Sequence, residues 1–240
     1  MDSPDGGNKI PNSPAVSLKL PGISISFTGF LALIPLAILL VLVALFFVYL
    51  VRANPQSMLW VSGVLWILFI VYWSAAASSA APARSSESVA SRQLHQLLMY
   101  GALALAFWRV PGLGGRWLPA AAYIAAIGLA LHVSSALLAV WARRHLGRNW
   151  SGEITAKVDH QLVSAGPYRL VRHPIYSGML GMFVGTAVVS GELHGLLAVV
   201  IIAAAYWRKI RLEEQHLRKV FGAAYDDYRR KSWALIPWLL

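Results

Sequence analysis

Polar positions along this chain fall in clumps between long uncharged stretches. Phe30 to Val51 carries no charge, and neither does Ser57 to Pro82. Each is long enough to cross about 30 Å of hydrocarbon as a helix. A third apolar run, Leu94 to Trp108, ends at the turn signal Pro111-Gly112-Leu113-Gly114-Gly115, and a fourth covers Trp117 to Trp141. The longest polar stretch, Arg143 to Arg172, separates these from two shorter apolar segments. Pro174 to Ser190 and Leu193 to Trp207 are joined by Gly191-Glu192. They predict a helical hairpin that enters the bilayer and returns to its starting side. From Arg211 to Lys231 the charges crowd together, yet Leu217, Val220, Phe221, Ala224, Tyr225 and Tyr228 recur at helical spacing. That pattern predicts an amphipathic helix with a break at Gly222.

The class predicted is all-α: a polytopic integral membrane bundle of about five to six membrane segments. It includes the C-terminal hairpin and is followed by a cytoplasmic amphipathic helix. The chain divides into a polar tail at 1–25, four transmembrane helices at 26–141, and a C-terminal core at 142–240 that holds the hairpin and the amphipathic helix. The tail, rich in Pro, Gly and Ser, reads as a flexible or interfacial segment. The apolar run after it is too long for a signal sequence and lacks a small-residue cleavage site.

Composition agrees. The chain is 58% hydrophobic and 13% charged, with a mean hydropathy of +0.58, far to the apolar side of a soluble domain. A net charge of +11 raises the question of nucleic acid. The Arg and Lys residues, however, gather at 143–172 and 208–231, flanking apolar runs. There they mark the cytoplasmic side and meet anionic headgroups. No zinc motif or recognition helix supports a nucleic-acid partner. The absence of cysteine excludes disulfides, thiolate catalysis and cysteine-held metals, and no metal site is expected.

The chemistry concentrates in Gly166-Pro167-Tyr168-Arg169-Leu170-Val171-Arg172-His173-Pro174-Ile175-Tyr176-Ser177-Gly178. Cationic, imidazole and phenolic groups at the start of a membrane helix are costly without a ligand or an internal partner. Pro174 suits the first helical position. Arg172 and His173 therefore sit at the helix end that attracts anions. A plainer account has Arg172 reaching lipid phosphates and His173 capping the helix. Ser177, Gly178, Gly181 and Gly185 lie largely along one side, where a neighbouring helix can approach closely. Gly178 also leaves room for a ligand. Glu213 and Glu214 can reach the same mouth, one suiting a ligand ammonium group and the other balancing arginines. These groups fit a ligand with a carboxylate, an ammonium, hydroxyls and a second cationic centre near aromatics. S-adenosylmethionine is one candidate among several nucleotides and zwitterions.

The order of these residues carries a resemblance. The stretch from Gly166 to Gly178 is followed by Glu213-Glu214, Leu217, Phe221-Gly222, Tyr225, Tyr228 and Pro237, and preceded by Leu146-Gly147-Arg148-Asn149-Trp150-Ser151. It resembles the isoprenylcysteine carboxyl methyltransferase family, and the related phospholipid N-methyltransferases share much of the pattern. The resemblance covers roughly Trp141 to Pro237. It implies an S-adenosylmethionine-dependent membrane methyltransferase without a Rossmann domain. His173, Pro174, Tyr176 and one of Glu213 or Glu214 would contact the cofactor, with Tyr168 and Gly178 nearby. Arg172 would steer a substrate carboxylate, so that Arg172, Glu213 and Glu214 form the catalytic set. The lipophilic, prenylcysteine-like substrate would enter from the bilayer, among membrane lipids.

A carboxylate acceptor is already ionised and needs no general base, whereas an amine must first lose a proton. That favours O-methylation over phospholipid N-methylation. Membrane sterol reductases using NADPH share part of the pattern but carry Asn before the tyrosine, where this chain has Ile175. A scaffold or transporter would leave His173 and the glutamate pair without a joint task.

Overall fold

A computed structural model describes residues 55–77, 84–85, 87–147, 150, 155–156 and 162–238, together with strands at 17–20 and 23–26. The predicted first span, Phe30 to Val51, lies outside the described residues. Residues 1–49 and 50–240 form two units. In the first, β1 (Ser17–Leu20) pairs antiparallel with β2 (Ile23–Ser26). A short hairpin thus stands where the polar composition suggested a tail.

The second unit is a helical bundle: α1 (Pro55–Ala77), α2 (Val89–Phe107), α3 (Ala122–Leu146), α4 (Pro174–Ser190), α5 (Leu193–Phe221) and α6 (Ala223–Arg230). A two-residue ladder, β3 (Arg84–Ser85) with β4 (Thr155–Ala156), completes the described structure. Three helices, Ser57–Ala77, Ala122–Leu146 and Leu193–Phe221, are long and apolar enough to cross a membrane, and α4 is a shorter apolar helix. Helix α1 shows the logic of a membrane-facing element. Met58, Ser62, Trp66 and Phe69 are buried one turn apart, while Trp60, Val64, Ile67, Leu68 and Val71 are exposed. An apolar outer face of that kind faces lipid.

The hairpin forms, with Pro174 in the first turn of α4 and Gly191 in the left-handed conformation (φ 61°) at its end. Its second arm does not stop at Trp207. Helix α5 runs unbroken to Phe221, where Gly222 (φ 54°) ends it. The separate amphipathic helix expected from Arg211 is therefore corrected: its first half continues the hairpin arm, and α6 alone follows the break. At roughly 43 Å, α5 exceeds the hydrocarbon thickness, so its charged last turns stand outside it. The apolar stripe predicted across Gly222 does not survive either. Tyr225 is buried, but Val220 and Ala224 are exposed.

Helices α3 and α4 meet backbone to backbone. A Cβ placed on Gly185 would lie 2.6 Å from the Gly128 carbonyl oxygen, and one on Gly178 would lie 2.6 Å from that of Ser135. At their centre, His132 Nδ1 lies 3.0 Å from Ser62 Oγ and 3.2 Å from Thr186 Oγ1. Trp66 Nε1 donates to Thr186 Oγ1 (3.1 Å), whose hydroxyl donates to the Met182 carbonyl. Thr186→Val removes the shared acceptor, strands the indole N–H in an apolar core and leaves the Ser62 hydroxyl with His132 as its partner. We expect it to lower stability by about 1–2 kcal/mol, measured as unfolding in mild detergent. An unchanged midpoint would show that the knot adds nothing.

The hairpin turn is pinned at the other end of the bundle. The Leu193 and His194 N–H groups donate to the Gly115 and Leu113 carbonyls, and Trp117 N–H donates to Gly191. The glycines at 112, 114 and 115 thus form a tight loop over the turn. Glu192, buried there, accepts from Arg109 Nη2 (2.5 Å) and Nε.

Candidate functional site

Helix α4 starts at the end of the bundle opposite the hairpin turn, and the last turns of α5 return to that start. The 3-10 turn Gly166–Arg169 leads into it. The chain beyond α6 folds back over it, pairing Val171 with Trp233 in a parallel bridge. Arg172 N–H donates to the Trp233 carbonyl (2.7 Å), His173 N–H to Ala234 (3.1 Å) and Ser177 Oγ to Leu235 (2.6 Å). The tail therefore supplies acceptors for donors that the start of a helix leaves unpaired.

Inside this corner His173 is buried between the two carboxylates. Its Nδ1 lies 3.5 Å from Glu213 Oε2 and its Nε2 3.4 Å from Glu214 Oε1. Tyr176 donates its hydroxyl to Glu213 Oε1 at 2.5 Å. Its ring stacks between His173 (5.8 Å) and Tyr206 (5.0 Å). Glu214 receives Arg172 Nε at 2.8 Å and stands 3.2 Å from Arg229 Nε. Arg172 Nη1 also donates to the Arg229 and Ser232 carbonyls. The two glutamates thus differ in environment. Glu214 is surrounded by two guanidiniums and the imidazole, whereas Glu213 has a phenol and the shared imidazole.

The structure brings Arg172, His173, Pro174, Tyr176, Glu213 and Glu214 together. Tyr168 is buried at the edge of the cluster, where its carbonyl accepts from Tyr228 (2.6 Å) and its hydroxyl donates to the Ala142 carbonyl (3.4 Å). Burial raises its pKa, and the Tyr228 phenol is pushed up to about 12 by the same cause, so both remain neutral donors. Gly178 spends its missing side chain on helix packing, since Ser135 and Ala139 of α3 occupy the space a Cβ would need. Arg172, expected to steer a substrate, has Nε and Nη1 engaged within the protein.

Sequence reading missed several neighbours. Tyr206 lies beneath Tyr176, and its buried hydroxyl has no hydrogen-bond partner among the described residues, as is also true of Tyr225. Arg229 reaches Glu214. Lys209, one turn before Glu213, forms a buried ion pair with Glu87, which also accepts from Ser91 (2.7 Å). A ring or an ion pair across more than a hundred residues leaves no local pattern to read.

Burial alone would lower the His173 pKa, but Glu213 and Glu214 outweigh it and the net shift is upward from 6.5. A raised folded-state pKa means that the pairing stabilises the fold fully below about pH 6.5. The contribution is lost as pH climbs through the raised value. We expect the thermal midpoint to fall over that upper limb, and His173→Gln to flatten it. A wild-type midpoint constant above pH 6.5 would contradict the assignment.

Residues 123–224 match the family model described as phospholipid methyltransferase. Protein-S-isoprenylcysteine O-methyltransferase B of Arabidopsis thaliana is 30% identical over 135 residues, covering 54% of this chain and 64% of the relative. A probable protein-S-isoprenylcysteine O-methyltransferase of Oryza sativa subsp. indica is 32% identical over 123 residues, covering 49% and 63%. The solved structure of a eukaryotic intramembrane Ras methyltransferase aligns with a TM-score of 0.43 at 25% identity, covering 63% of this chain and 50% of that one. The chain spans somewhat less than two thirds of the length of these curated relatives. The matched segment contains His173, Tyr176, Glu213 and Glu214. Through this segment the chain is similar to the phospholipid methyltransferase family model and to the protein-S-isoprenylcysteine O-methyltransferases.

Proposed function

We propose that this chain is an integral membrane methyltransferase that transfers the methyl group of S-adenosylmethionine to a lipophilic acceptor, the carboxylate of a prenylcysteine-like molecule. The observation that carries the reading is the buried cluster of two carboxylates, an imidazole and stacked phenols at the interfacial end of α4 and α5. The printed activity of the relatives supports it.

The residues suit the cofactor. Glu213, with a phenol and one shared imidazole for company, can take an ammonium group, and the unpaired Tyr206 and Tyr225 hydroxyls are donors in want of acceptors. The faces of Tyr176 and Tyr206 can stabilise a sulfonium. When bound, the cofactor supplies an electrophilic methyl carbon. The protein's task is then alignment and exclusion of water rather than covalent catalysis. Tyr176 fixes the Glu213 carboxylate. Arg172 and Glu214 act as positioning residues that clamp the tail over the mouth. A carboxylate acceptor would already be ionised, so methyl transfer to its oxygen, with the cofactor's sulfur leaving as the neutral thioether, would ask no general base of these residues.

The family description favours a second reading, N-methylation of an aminophospholipid. An ammonium acceptor would have to lose a proton first; Glu214 is paired with two guanidiniums, and Glu213 would be taken up by the cofactor's own ammonium group. The test is transfer of labelled methyl from S-adenosylmethionine, by the protein in nanodiscs, to a prenylcysteine analogue and to membrane lipid extract. Label on the analogue supports carboxyl methylation. Label on a phospholipid amine transfers the case to the second reading, and label on neither rejects both.

The cofactor site is read as cytoplasmic from its basic flanks. In this cysteine-free chain, cysteines at the exposed positions Ser164 and Lys231 should react with an impermeant maleimide from the cytoplasmic side, and one at Gly114 from the other. Labelling of Ser164 and Lys231 from opposite sides would dissolve the shared site.

A further inference from the structure

The ring column that begins at His173 does not end at Tyr206. The imidazole of His95, from α2, follows at 5.9 Å from the Tyr206 ring, and its buried Nδ1 has no hydrogen-bond partner among the described residues. Ser91 lies one turn earlier on the same face of α2. Its hydroxyl accepts from Arg208 Nη2 at 2.7 Å and donates to Glu87 at 2.7 Å. Arg208 has no carboxylate partner among the described residues, and its buried Nη1 has no acceptor there. Lys209, the next residue, is matched: it pairs with Glu87, both side chains almost fully buried. The α2–α5 seam therefore holds one matched ion pair, one cation without an acid, and an imidazole without a partner. Buried donors of this kind are costly until an acceptor arrives. Arg208, Lys209 and Glu213 all lie within electrostatic reach of His95, which sets the seam beside the cluster that suits the cofactor.

Depth points to the kind of acceptor. Arg208 stands where the apolar stretch of α5 ends, at Trp207-Arg208-Lys209. Leu94 and Leu97, beside His95 on α2, are exposed as lipid-facing residues are. An anion tethered to a hydrocarbon chain carries its charge at this boundary. Arg172, the guanidinium first expected to hold such a group, is engaged by Glu214 and two carbonyls.

We propose that Arg208 and His95 bind the carboxylate of the methyl acceptor. The guanidinium supplies the charge and Nη1–H, and the imidazole supplies one N–H. A guanidinium suits a carboxylate better than a point charge does. A carboxylate accepts at about four lone-pair positions, so two donors leave others free for attack on the methyl carbon. The pair also sets specificity: it favours a lipophilic acid over the uncharged ester that methylation makes, and so lets product go. The proposal rests on the carboxyl-methylation reading. It adds a residue, His95, that precedes the segment 123–224 matched by the family model.

The test titrates the full chain in nanodiscs, loaded with S-adenosylhomocysteine, with an N-acetylated prenylcysteine and with its methyl ester. The wild type should bind the acid roughly ten- to hundredfold more tightly than the ester, the worth of a hydrogen bond to a charged group. Arg208→Gln and His95→Leu should each cut that preference severalfold. His95→Asn, which keeps an N–H near the Nδ1 position, should retain most of it. Arg211→Gln removes the same charge one turn further along, from a guanidinium stacked on Trp207, and should leave the preference intact. A wild type without preference, or a preference unchanged in both Arg208→Gln and His95→Leu, overturns the proposal. An equal loss in Arg211→Gln would reduce the effect to general charge. A parallel loss of S-adenosylhomocysteine affinity in Arg208→Gln would assign the guanidinium to the cofactor's carboxylate. Either result also overturns it. Labelled-methyl transfer by the wild type separates the two failures. No transfer to the acid rejects the carboxyl-methylation reading itself, whereas transfer with an unchanged preference in the variants removes only Arg208 and His95 from the acceptor site.

Discussion

Exchanging Glu214 for glutamine should lower the unfolding free energy by about 3–5 kcal/mol, the range for removing one partner of a buried ion pair. Glu214 and Arg172 are both largely buried, with side chains 14% and 9% exposed. The carboxylate neutralises Arg172, approaches Arg229 and flanks the His173 imidazole. Glutamine fills the same volume but leaves these cationic groups crowded and uncompensated. The damage should spread, because Arg172 also holds the Arg229 and Ser232 carbonyls and so ties the returning tail to the start of α4. Arg172→Lys should lose part of the same stability, since an ammonium cannot bridge a carboxylate and two carbonyls in the geometry of the planar fork. Denaturant unfolding in mild detergent measures both. A loss under about 1 kcal/mol for Glu214→Gln would place the pair with weak surface bridges and remove its clamping role.

The hairpin was legible in the sequence because its signals are local: a proline opening α4, a glycine ending it, and apolar runs between. The continuity of α5 was not. The charges from Arg208 onward show where the hydrocarbon ends, but Arg, Lys, Leu, Glu and Gln are all good helix formers, so the helix had no reason to stop there. Only Gly222, with no side chain and a positive φ, ends it. Helix α2 illustrates the converse. Its polar first turns, with Ser91, Arg92 and Gln93, hid a start at Val89, five residues before the apolar run. The Ser88 side chain caps it by accepting from Ser91 N–H.

The candidate site was legible in its members but not in how they divide the work. Motif spacing brought His173, Tyr176, Glu213 and Glu214 together on paper, and the fold does the same. It could not show that Gly178 faces α3, because a packing glycine and a ligand-facing glycine look alike until the neighbour is known. Nor could it foresee the pairing of residues 233–235 with 172–177. Most of those bonds use main-chain groups, which every residue carries.

The division between the glutamates leads to the largest expected effect on ligand binding. Glu213→Gln should weaken S-adenosylhomocysteine by about 2–4 kcal/mol, roughly 30- to 1,000-fold, with a smaller loss of unfolding free energy than Glu214→Gln, because His173 keeps Glu214 and both guanidiniums keep their partner. Glu214 is already matched by nearby guanidiniums, so it has little charge to offer a ligand ammonium. Glu213 accepts from neutral Tyr176 and shares His173, and so retains negative charge within the buried corner. Glutamine keeps the shape and can still accept from the phenol, which isolates the effect of charge. Tyr176→Phe leaves the carboxylate but frees its orientation and should cost about 1 kcal/mol of affinity, the usual worth of one hydrogen bond. Asp227→Asn, on the exposed side of α6, should bind as the wild type does. Calorimetric titration in nanodiscs gives all three values, with the unfolding midpoint as the control for folding. Wild-type affinity in Glu213→Gln alongside a large loss in folded Glu214→Gln would reverse the assignment, and wild-type affinity in both would remove the carboxylates from the cofactor site.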